Sequence, residues 1–270
     1  MVLICSDFHV IQKLQHFSER FFYYMAHPTH RYILKWSKMI TPKVRHLAFS
    51  REDKASFSFV AGQFITLHIE GPTKILHRSY SIANTPQQDD TIEIACAYVE
   101  GGVATGLLFG MQVGDPILAS GPYGLFVLKE ERPARYLFIA TGTGVTPYRS
   151  MLNDIKERFK HSHPELEVVL ILGVRNSKEL LFAEEFVAFA KANPRFKFYT
   201  CYSRETSPVT QSFEHHGHVQ DLLQSLNLAP LQDIVYLCGN PNMIDDTFNL
   251  LTGMGFEKKS VRREKYLFSH

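Results

Sequence analysis

The chain has 270 residues, of which 45% are hydrophobic and 21% charged, and its formal net charge is +2 with histidine counted as neutral. This composition is typical of globular proteins, and the length allows one large domain or two ordinary ones. The small net charge, without a basic stripe interleaved with aromatic residues, excludes a typical nucleic-acid binder. No apolar run approaches the ~20 residues of a membrane-spanning helix, so we expect no membrane insertion.

The cysteines do not form a metal or disulfide framework. Cys5, Cys96, Cys201 and Cys238 include no C-x-x-C pair and no ladder spaced for zinc or an iron–sulfur cluster. The start of the chain is also a poor secretory signal, because charged and polar residues interrupt its apolar segment. Reduced thiols and a cytoplasmic location are therefore predicted. The cluster of histidines at 215–218 has no carboxylate or cysteine at ligand spacing, so we predict no metal site.

Residues 1–28 are predicted to be an N-terminal extension, in the form of a short docked helix or a frayed tail. An aromatic cluster at 21–24 ends at Met25, and Pro28 then breaks the pattern. Met25 is an alternative start of the native protein, which its intact mass would test.

Residues 29–131 are predicted to form an antiparallel β-barrel. Apolar and polar residues alternate at 44–49, 64–69 and 92–96, as expected of half-buried strands. Glycine and proline punctuate these runs as turns. Many short strands of this kind are typical of a sandwich or a small closed barrel.

Residues 132–270 have the pattern of a parallel α/β sheet. Continuous apolar runs at 136–140 and 168–172 are typical of strands buried on both faces. Helical stretches are predicted at 148–159 and 183–192, and further strands at 196–202 and 234–238. This alternation predicts a nucleotide-binding sheet.

Two glycine-rich motifs are suited to phosphates. Gly-Thr-Gly-Val-Thr-Pro at 142–147 follows a buried strand and opens a helix, where free N–H groups and the helix dipole favour a pyrophosphate. Gly-Gly-Val-Ala-Thr at 101–105 is predicted to be a turn whose N–H groups and hydroxyl hold a second phosphate. Taken alone, each motif is also compatible with an ordinary tight turn.

Two further motifs supply polar and aromatic groups. Arg-Ser-Tyr-Ser at 78–81 offers a cation for a phosphate, a ring for stacking and a hydroxyl for a ring heteroatom. Cys-Gly-Asn-Pro at 238–241 places a thiol at the carboxyl edge of the predicted parallel sheet, where ligands bind. A half-buried charged strand and a buried apolar cysteine are the structural alternatives.

In this order, the motifs resemble those of the ferredoxin–NADP⁺ reductase family over roughly residues 30–270. The resemblance implies an N-terminal barrel that binds FAD, a C-terminal Rossmann-like domain that binds NADP(H), and electron transfer to ferredoxin or flavodoxin. It implies that Arg78 binds the FAD pyrophosphate, that Tyr80 stacks on the flavin and that Ser81 lies near its reactive nitrogen. The complete set of predicted cofactor-binding residues is Arg78, Ser79, Tyr80, Ser81, Cys96, Ala97, Tyr98, Gly102, Val103, Ala104, Thr105, Thr143, Gly144, Val145, Arg175, Ser203, Arg204, Cys238, Gly239 and Tyr266.

The segment Glu264-Lys265-Tyr266 resembles the family's terminal Glu-x-Tyr, whose tyrosine covers the flavin where nicotinamide enters. Hydride transfer needs positioning and exclusion of water rather than a strong acid or base. The predicted catalytic residues are Ser81, Cys238 and Glu264, with Tyr266 as the gate. The chain continues beyond Tyr266, so Phe268 is an alternative flavin cover.

The cationic residues that follow two predicted strands favour NADP(H) over NAD(H). Ser203-Arg204 matches the family's 2′-phosphate site, and Arg175 stands where a carboxylate would favour NAD. His218 follows Gly217 where bacterial relatives often carry arginine, and Glu205 adds a negative charge.

The leading hypothesis for the partner is an acidic electron carrier, ferredoxin or flavodoxin, bound by a monomer. Cations near the C-terminus, together with Arg149, are candidates for the basic face that such a carrier needs. The alternatives are the reductase component of an oxygenase, a general flavin-linked reductase, or a nucleotide-binding sensor without turnover.

Overall fold

Residues 28–86 and 91–266 are described by the computed structural model of the chain, and their strands fall into two six-stranded sheets. The rest of the predicted N-terminal extension, with Met25, and the alternative flavin cover Phe268 lie outside the described residues. Within them, no helix is both long and apolar enough to cross a bilayer.

The first sheet is antiparallel throughout, in the order β4-β3-β6-β1-β2-β5. Its strands are β1 (His30–Thr41), β2 (Val44–Arg51), β3 (Phe64–Glu70), β4 (Ile75–Ser81), β5 (Thr91–Ala97) and β6 (Pro116–Tyr123). An antiparallel bridge between Ile82 and Ile94 joins the two outer strands and closes the sheet. The predicted antiparallel barrel is confirmed. Its interior is apolar and includes the fully buried side chains of Leu47, Phe49 and Ile65.

Helix α1 (Val103–Gly110) packs against the barrel where the sequence predicted a turn at 101–105. Ala104, Leu108 and Met111 are all buried in the barrel cluster. Their i, i+4, i+7 spacing is that of a helix face, and this burial explains why a helix forms immediately after the glycine pair.

The second sheet is parallel throughout, in the order β10-β9-β8-β7-β11-β12. Its strands are β7 (Arg135–Thr141), β8 (Glu167–Val174), β9 (Phe196–Tyr202), β10 (Glu214–His216), β11 (Asp233–Gly239) and β12 (Val261–Lys265). The helices are α2 (Thr146–Ser150), α3 (Leu152–Glu157), α4 (Ala183–Ala192), α5 (Val219–Ser225) and α6 (Pro241–Gly253). The predicted parallel α/β sheet is confirmed.

Strand β7 is continuously apolar because both of its faces are buried. Tyr136 and Phe138 enter the cluster on one face of the sheet, while Leu137 and Ile139 enter the cluster on the other. All four side chains are fully buried, so a polar residue at any of them would lose hydration without a partner.

The chain direction across this sheet reverses beside β7. From β7 the chain builds β8, β9 and β10 on one side, and then returns to place β11 and β12 on the other. The loops that follow β7 and β11 therefore lie side by side at the carboxyl ends of the two strands where the strand order reverses. In open α/β sheets this is the place where ligands bind.

Candidate active site

Four predicted catalytic residues converge where the barrel meets the parallel sheet. Ser81 ends β4, and Glu264 lies beside Cys238 in the β11–β12 register. The Ser81 Oγ donates to Glu264 Oε1 at 3.2 Å and lies 2.6 Å from the Tyr266 hydroxyl oxygen. Since Ser81 donates its only proton to Glu264, the Tyr266 hydroxyl donates to Ser81.

The electrostatics of these residues leave one group that titrates near neutrality. Burial, partly offset by the hydrogen bond from Ser81, raises the pKa of Glu264 to about 7. Burial raises the pKa of Cys238 well above its usual range, and the neighbouring Glu264 adds to this. Burial likewise raises the pKa of Tyr266, so the thiol and the phenol are both neutral at physiological pH.

The turn after β7 and the turn after β11 pack backbone against backbone. A Cβ on Gly144 would lie 2.3 Å from the Cys238 carbonyl oxygen, and a Cβ on Gly239 would lie 2.6 Å from Thr141 Oγ1. The Asn240 N–H donates to Thr141 Oγ1 at 2.9 Å. Glycine is thus required at both turns. The first N–H groups of α6 donate to the Asn240 side chain, whereas no side chain of the described residues caps the start of α2.

A cleft of about 1020 Å³ extends from this point between the two domains. Of the predicted residues, it is lined by Ala97, Tyr98, Thr143, Arg175, Ser203, Gly239 and Tyr266. Gly144 and Val145 are buried behind its wall, and Val145 can contribute only through its backbone. The cleft is large enough for a dinucleotide.

Lys43 is a cleft residue that the sequence analysis missed. It lies two positions after Thr41, in the turn between β1 and β2, and it lines the cleft from the barrel side. Its ammonium has no ion-pair partner among residues 28–86 and 91–266. Nothing in the sequence distinguishes it from a solvated lysine in a hairpin turn, so only the fold reveals it.

Strand β4 presents its predicted residues unequally. Tyr80 packs on the barrel cluster, and its hydroxyl lies 3.7 Å from Cys96 Sγ. Arg78 is half-buried and donates only to the carbonyl of His77 within the described chain, which leaves most of its guanidinium available for an anion. Ser79 Oγ lies 3.2 Å from Thr66 Oγ1 on the neighbouring strand.

The Cys96 thiol lies in the barrel interior. Burial raises the pKa of this thiol to about 11, so Cys96 is a neutral core side chain. A cofactor that contacts β5 would therefore meet its backbone, Ala97 and the following Tyr98.

The start of α1 differs from the predicted phosphate turn in one respect. The Thr105 hydroxyl already donates to the carbonyls of Val99 and Gly102, at 3.0 and 3.2 Å, and accepts from the Val99 N–H. The hydroxyl thus stabilises the loop in this structure, and its contact with a phosphate stays a prediction. Gly102 is the N-cap, so the N–H groups at Val103 and Ala104 carry the anion-binding capacity.

The cations predicted for a 2′-phosphate lie at the rim of the cleft. Arg175 pairs with Glu179 at 2.9 Å, and Arg204 is exposed with its N–H donating to the Arg175 carbonyl. Glu205 accepts from the backbone and hydroxyl of Ser177, which lowers its pKa to about 2. His218 caps α5 together with Asp221. No group of three or more metal-ligating side chains occurs in the described part of the chain.

The predicted basic face is largely neutralised. Arg149 pairs with Glu93 and Glu185, Arg262 with Glu131, and Lys265 with Asp245. Arg263 stacks on the ring of Phe248.

Comparison with known proteins identifies the two domains. Residues 31–128 match the oxidoreductase FAD-binding domain, and residues 138–248 match the oxidoreductase NAD-binding domain. A ferredoxin–NADP reductase B of Sorangium cellulosum is 32% identical over 231 residues, which cover 84% of this chain and 93% of that protein. The chain belongs to the ferredoxin–NADP⁺ reductase family.

Other members of this family confirm the architecture. A Neisseria gonorrhoeae ferredoxin NADP⁺ reductase with bound FAD and NADP superposes with a TM-score of 0.75 at 27% identity, covering 88% of this chain and 98% of that one. The reductase component of propane 2-monooxygenase from Rhodococcus jostii is 30% identical over 230 residues, 84% of this chain. The present chain spans 60% of the length of that reductase component.

The family membership and the site geometry agree on the cofactors. The glycine cradle at Gly144 and Gly239, the open start of α1 and the guanidinium of Arg78, which has no carboxylate partner among the described residues, are suited to the phosphates of two dinucleotides. The protein is a flavoenzyme oxidoreductase that binds FAD and a nicotinamide dinucleotide, as the sequence predicted.

Proposed function

We propose that the protein transfers electrons between NADP(H) and a small acidic carrier of the ferredoxin or flavodoxin type. The convergence of Ser81, Cys238, Glu264 and Tyr266, of which Tyr266 lines the dinucleotide cleft, is the observation that carries this proposal. FAD, when bound, accepts a hydride and returns electrons singly.

The residues would divide the work as follows. Arg78, Tyr80, Ala97, Tyr98 and the start of α1 would hold FAD. The turn at 142–145, with Ser203 and Arg204 at the rim, would hold NADP(H). Ser81 and Cys238 would position the reacting rings from opposite domains, while Tyr266 would cover the site until nicotinamide enters and would exclude water.

Glu264 would hold or release a proton beside Ser81. Its pKa of about 7 allows both states at physiological pH, and its hydrogen bond from Ser81 orients the hydroxyl. Because hydride transfer changes the charge of the flavin, a neighbouring carboxyl that can become neutral favours the reduced state electrostatically.

A second candidate acceptor is the oxygenase of a multicomponent system. The propane 2-monooxygenase reductase component and an Amycolatopsis cytochrome P450 reductase, with a TM-score of 0.77 at 27% identity over 89% of this chain and 71% of that one, favour it. Most cations of the predicted basic face are already paired with carboxylates, so they give little support for an acidic partner. The support for a ferredoxin is the similarity to the ferredoxin–NADP reductase B of Sorangium cellulosum.

The remaining features of the proposal concern organisation. We propose an FAD domain at 29–131 and an NADP domain at 132–270. This boundary falls in the interval that separates the two matched family regions. Cys96, Cys201 and Cys238 are free thiols, which supports a reducing, cytoplasmic location. We propose a monomer, because both sets of site residues come from a single chain.

Anaerobic stopped-flow reduction of the purified protein tests the function. NADPH should bleach the flavin faster than NADH does, and addition of a ferredoxin should then reoxidise it. A bound flavin that neither nucleotide reduces would refute the proposal and favour a sensor without turnover. Reoxidation by an oxygenase component but not by ferredoxin or flavodoxin would favour the second candidate.

A further inference from the structure

Arg149 links the two domains through both ends of its guanidinium. On the barrel side, Nη1 donates to the Ala83 carbonyl at 2.8 Å and to Glu93 Oε2 at 2.9 Å. On the side of the parallel sheet, Nε and Nη2 donate to the two carboxylate oxygens of Glu185 at 2.7 and 3.2 Å. A single side chain thus makes four charge-assisted or charge–carbonyl hydrogen bonds, two of them across the domain junction and two to α4 of its own domain.

The anchors of Arg149 are close in sequence to both cofactor sites. Ala83 follows Ser81 by two positions, just after the end of β4. Arg149 belongs to α2, the helix that begins directly after the nucleotide turn at 142–145. A displacement of the guanidinium would therefore shift the flavin-facing hydroxyl relative to the nucleotide turn. Arg149 itself is not among the described residues that line the cleft.

The guanidinium is fixed in its position. Glu93 Oε2 also lies 3.0 Å from Nε2 of the buried His46, and the ring of Phe182 lies 4.8 Å from the guanidinium carbon. Although burial opposes ionisation of Glu93, the groups of His46 and Arg149 outweigh it and lower its pKa. Glu93 is therefore an anion at neutral pH, and the ion pair with Arg149 is shielded from bulk water on a half-buried surface.

The next residue strengthens the same junction. Ser150 Oγ donates to the Asn84 carbonyl at 2.8 Å, and Asn84 Oδ1 accepts from the Glu93 N–H at 2.9 Å. Residues 83–84 of the barrel and 149–150 of α2 thus form a connected hydrogen-bond network.

We propose that Arg149 is a positioning residue that sets the approach of the nicotinamide site to the flavin site, by tying Ala83 and Glu93 of the barrel to α2 and Glu185. The proposal rests on the proposed function. Because hydride transfer falls off steeply when the reacting atoms are displaced, loss of this link slows transfer without removing either cofactor.

The experiment compares holoenzyme variants by anaerobic stopped flow at saturating NADPH, with flavin content, nucleotide Kd and Tm measured in parallel. For Arg149→Met, which keeps the apolar stem, we expect hydride transfer to slow by roughly 10- to 100-fold. The NADPH Kd should stay within about threefold of the native value and the flavin content should be unchanged. Arg149→Lys should recover part of the rate.

The isotope effect separates positioning from stability. With NADPH deuterated at the transferred hydrogen, the effect on turnover should increase in Arg149→Met, because transfer becomes rate-limiting; a merely structural role would leave it unchanged. Glu185→Gln is the matched control: it keeps the barrel-side bonds of Arg149 and should slow transfer less than Arg149→Met. If Arg149→Met does not fold, Glu93→Gln gives the same test with an intermediate loss of rate.

Two failures are distinguishable. If wild-type flavin is not reduced by either nucleotide, the proposed function is wrong. If wild-type flavin is reduced and the fully loaded Arg149→Met or Glu93→Gln protein matches its rate and isotope effect, only the positioning role is refuted.

Discussion

The Ser81 Oγ lies 2.6 Å from the Tyr266 hydroxyl oxygen, although 185 positions separate the two residues. One belongs to the antiparallel barrel and the other directly follows the final strand of the parallel sheet. The hydrogen bond therefore spans the domain junction and holds the Tyr266 ring at the mouth of the cleft. The gating role proposed for Tyr266 requires that a nicotinamide displaces this ring as it approaches Ser81.

Removal of the Tyr266 ring should strengthen nucleotide binding. In Tyr266→Ser the nucleotide no longer competes with the side chain, so we expect the Kd for NADP⁺ to fall by roughly tenfold, equivalent to about 1.4 kcal/mol. Tyr266→Phe keeps the ring and loses only the hydroxyl, so it should resemble the native protein more closely. Titration of the flavin difference spectrum measures both, and an unchanged Kd in Tyr266→Ser would contradict the gating role.

The carboxyl of Glu264 should make stability depend on pH. Its pKa is raised to about 7, so the folded state favours the neutral form. The stabilisation is complete below the unfolded pKa near 4.5 and is lost as pH rises through about 7, with an upper limit of about 3 kcal/mol. Glu264→Gln cannot ionise at this position and does not lose stability in this way. The difference between its Tm and that of the native protein should therefore increase in favour of the variant from pH 5 to pH 8. Parallel Tm curves would contradict the assignment.

Gly144 should tolerate no side chain. In Gly144→Ala the new Cβ would lie 2.3 Å from the Cys238 carbonyl oxygen and 2.7 Å from the Gly239 Cα, so one of the two turns must move. We expect NADPH binding to weaken by more than tenfold while FAD remains bound, because the barrel is not touched. Gly253→Ala is the control: apart from the neighbouring residues and the backbone of its own helix, no atom of the described residues lies within 4 Å of the position that its Cβ would take. Equal nucleotide affinities in the two variants would refute the cradle.

Substitution of two cations should distinguish the site of the 2′-phosphate from the site of the pyrophosphate. Arg204→Ala should raise the Kd for NADPH by roughly tenfold or more and leave that for NADH nearly unchanged, if the arginine contacts the 2′-phosphate. Lys43→Ala removes a cation that faces the cleft from the barrel and should weaken NADPH and NADH alike, through the pyrophosphate that both share. Binding titrations with both nucleotides measure the four constants. Equal effects of Arg204→Ala on both nucleotides would exclude it from the 2′-phosphate site.

The features that sequence predicts best are those that depend on local pattern. The apolar run of β7 predicts its burial on both faces, and the glycine and cysteine motifs predict the loops at the reversal of the sheet. Helix α1 was missed because the glycine pair before it is a strong turn signal, whereas the burial of Leu108 and Met111 that favours the helix depends on the barrel.

The sequence predicts where a residue lies in the fold better than it predicts which groups its side chain contacts. Thr105 is predicted to bind a phosphate, and the structure adds a contact that the sequence did not indicate, from its hydroxyl to the Val99 carbonyl of the same loop. Arg149 was grouped with surface cations because its charge is visible in the sequence, whereas Glu93 and Glu185 reach it only in the folded chain. Lys43 enters the cleft through the packing of two domains, which no local pattern specifies.

The location of Glu264 in β12 and of Tyr266 directly after it has a consequence for biosynthesis. Ser81 leaves the ribosome 185 residues before Tyr266, a delay of roughly 10 to 40 seconds at ordinary elongation rates. Once β6 has been translated, the chain contains every strand of the barrel while Glu264 and Tyr266 are still unmade. If these residues act as we propose, a chain that terminates between β6 and β12 is expected to bind flavin without the gate.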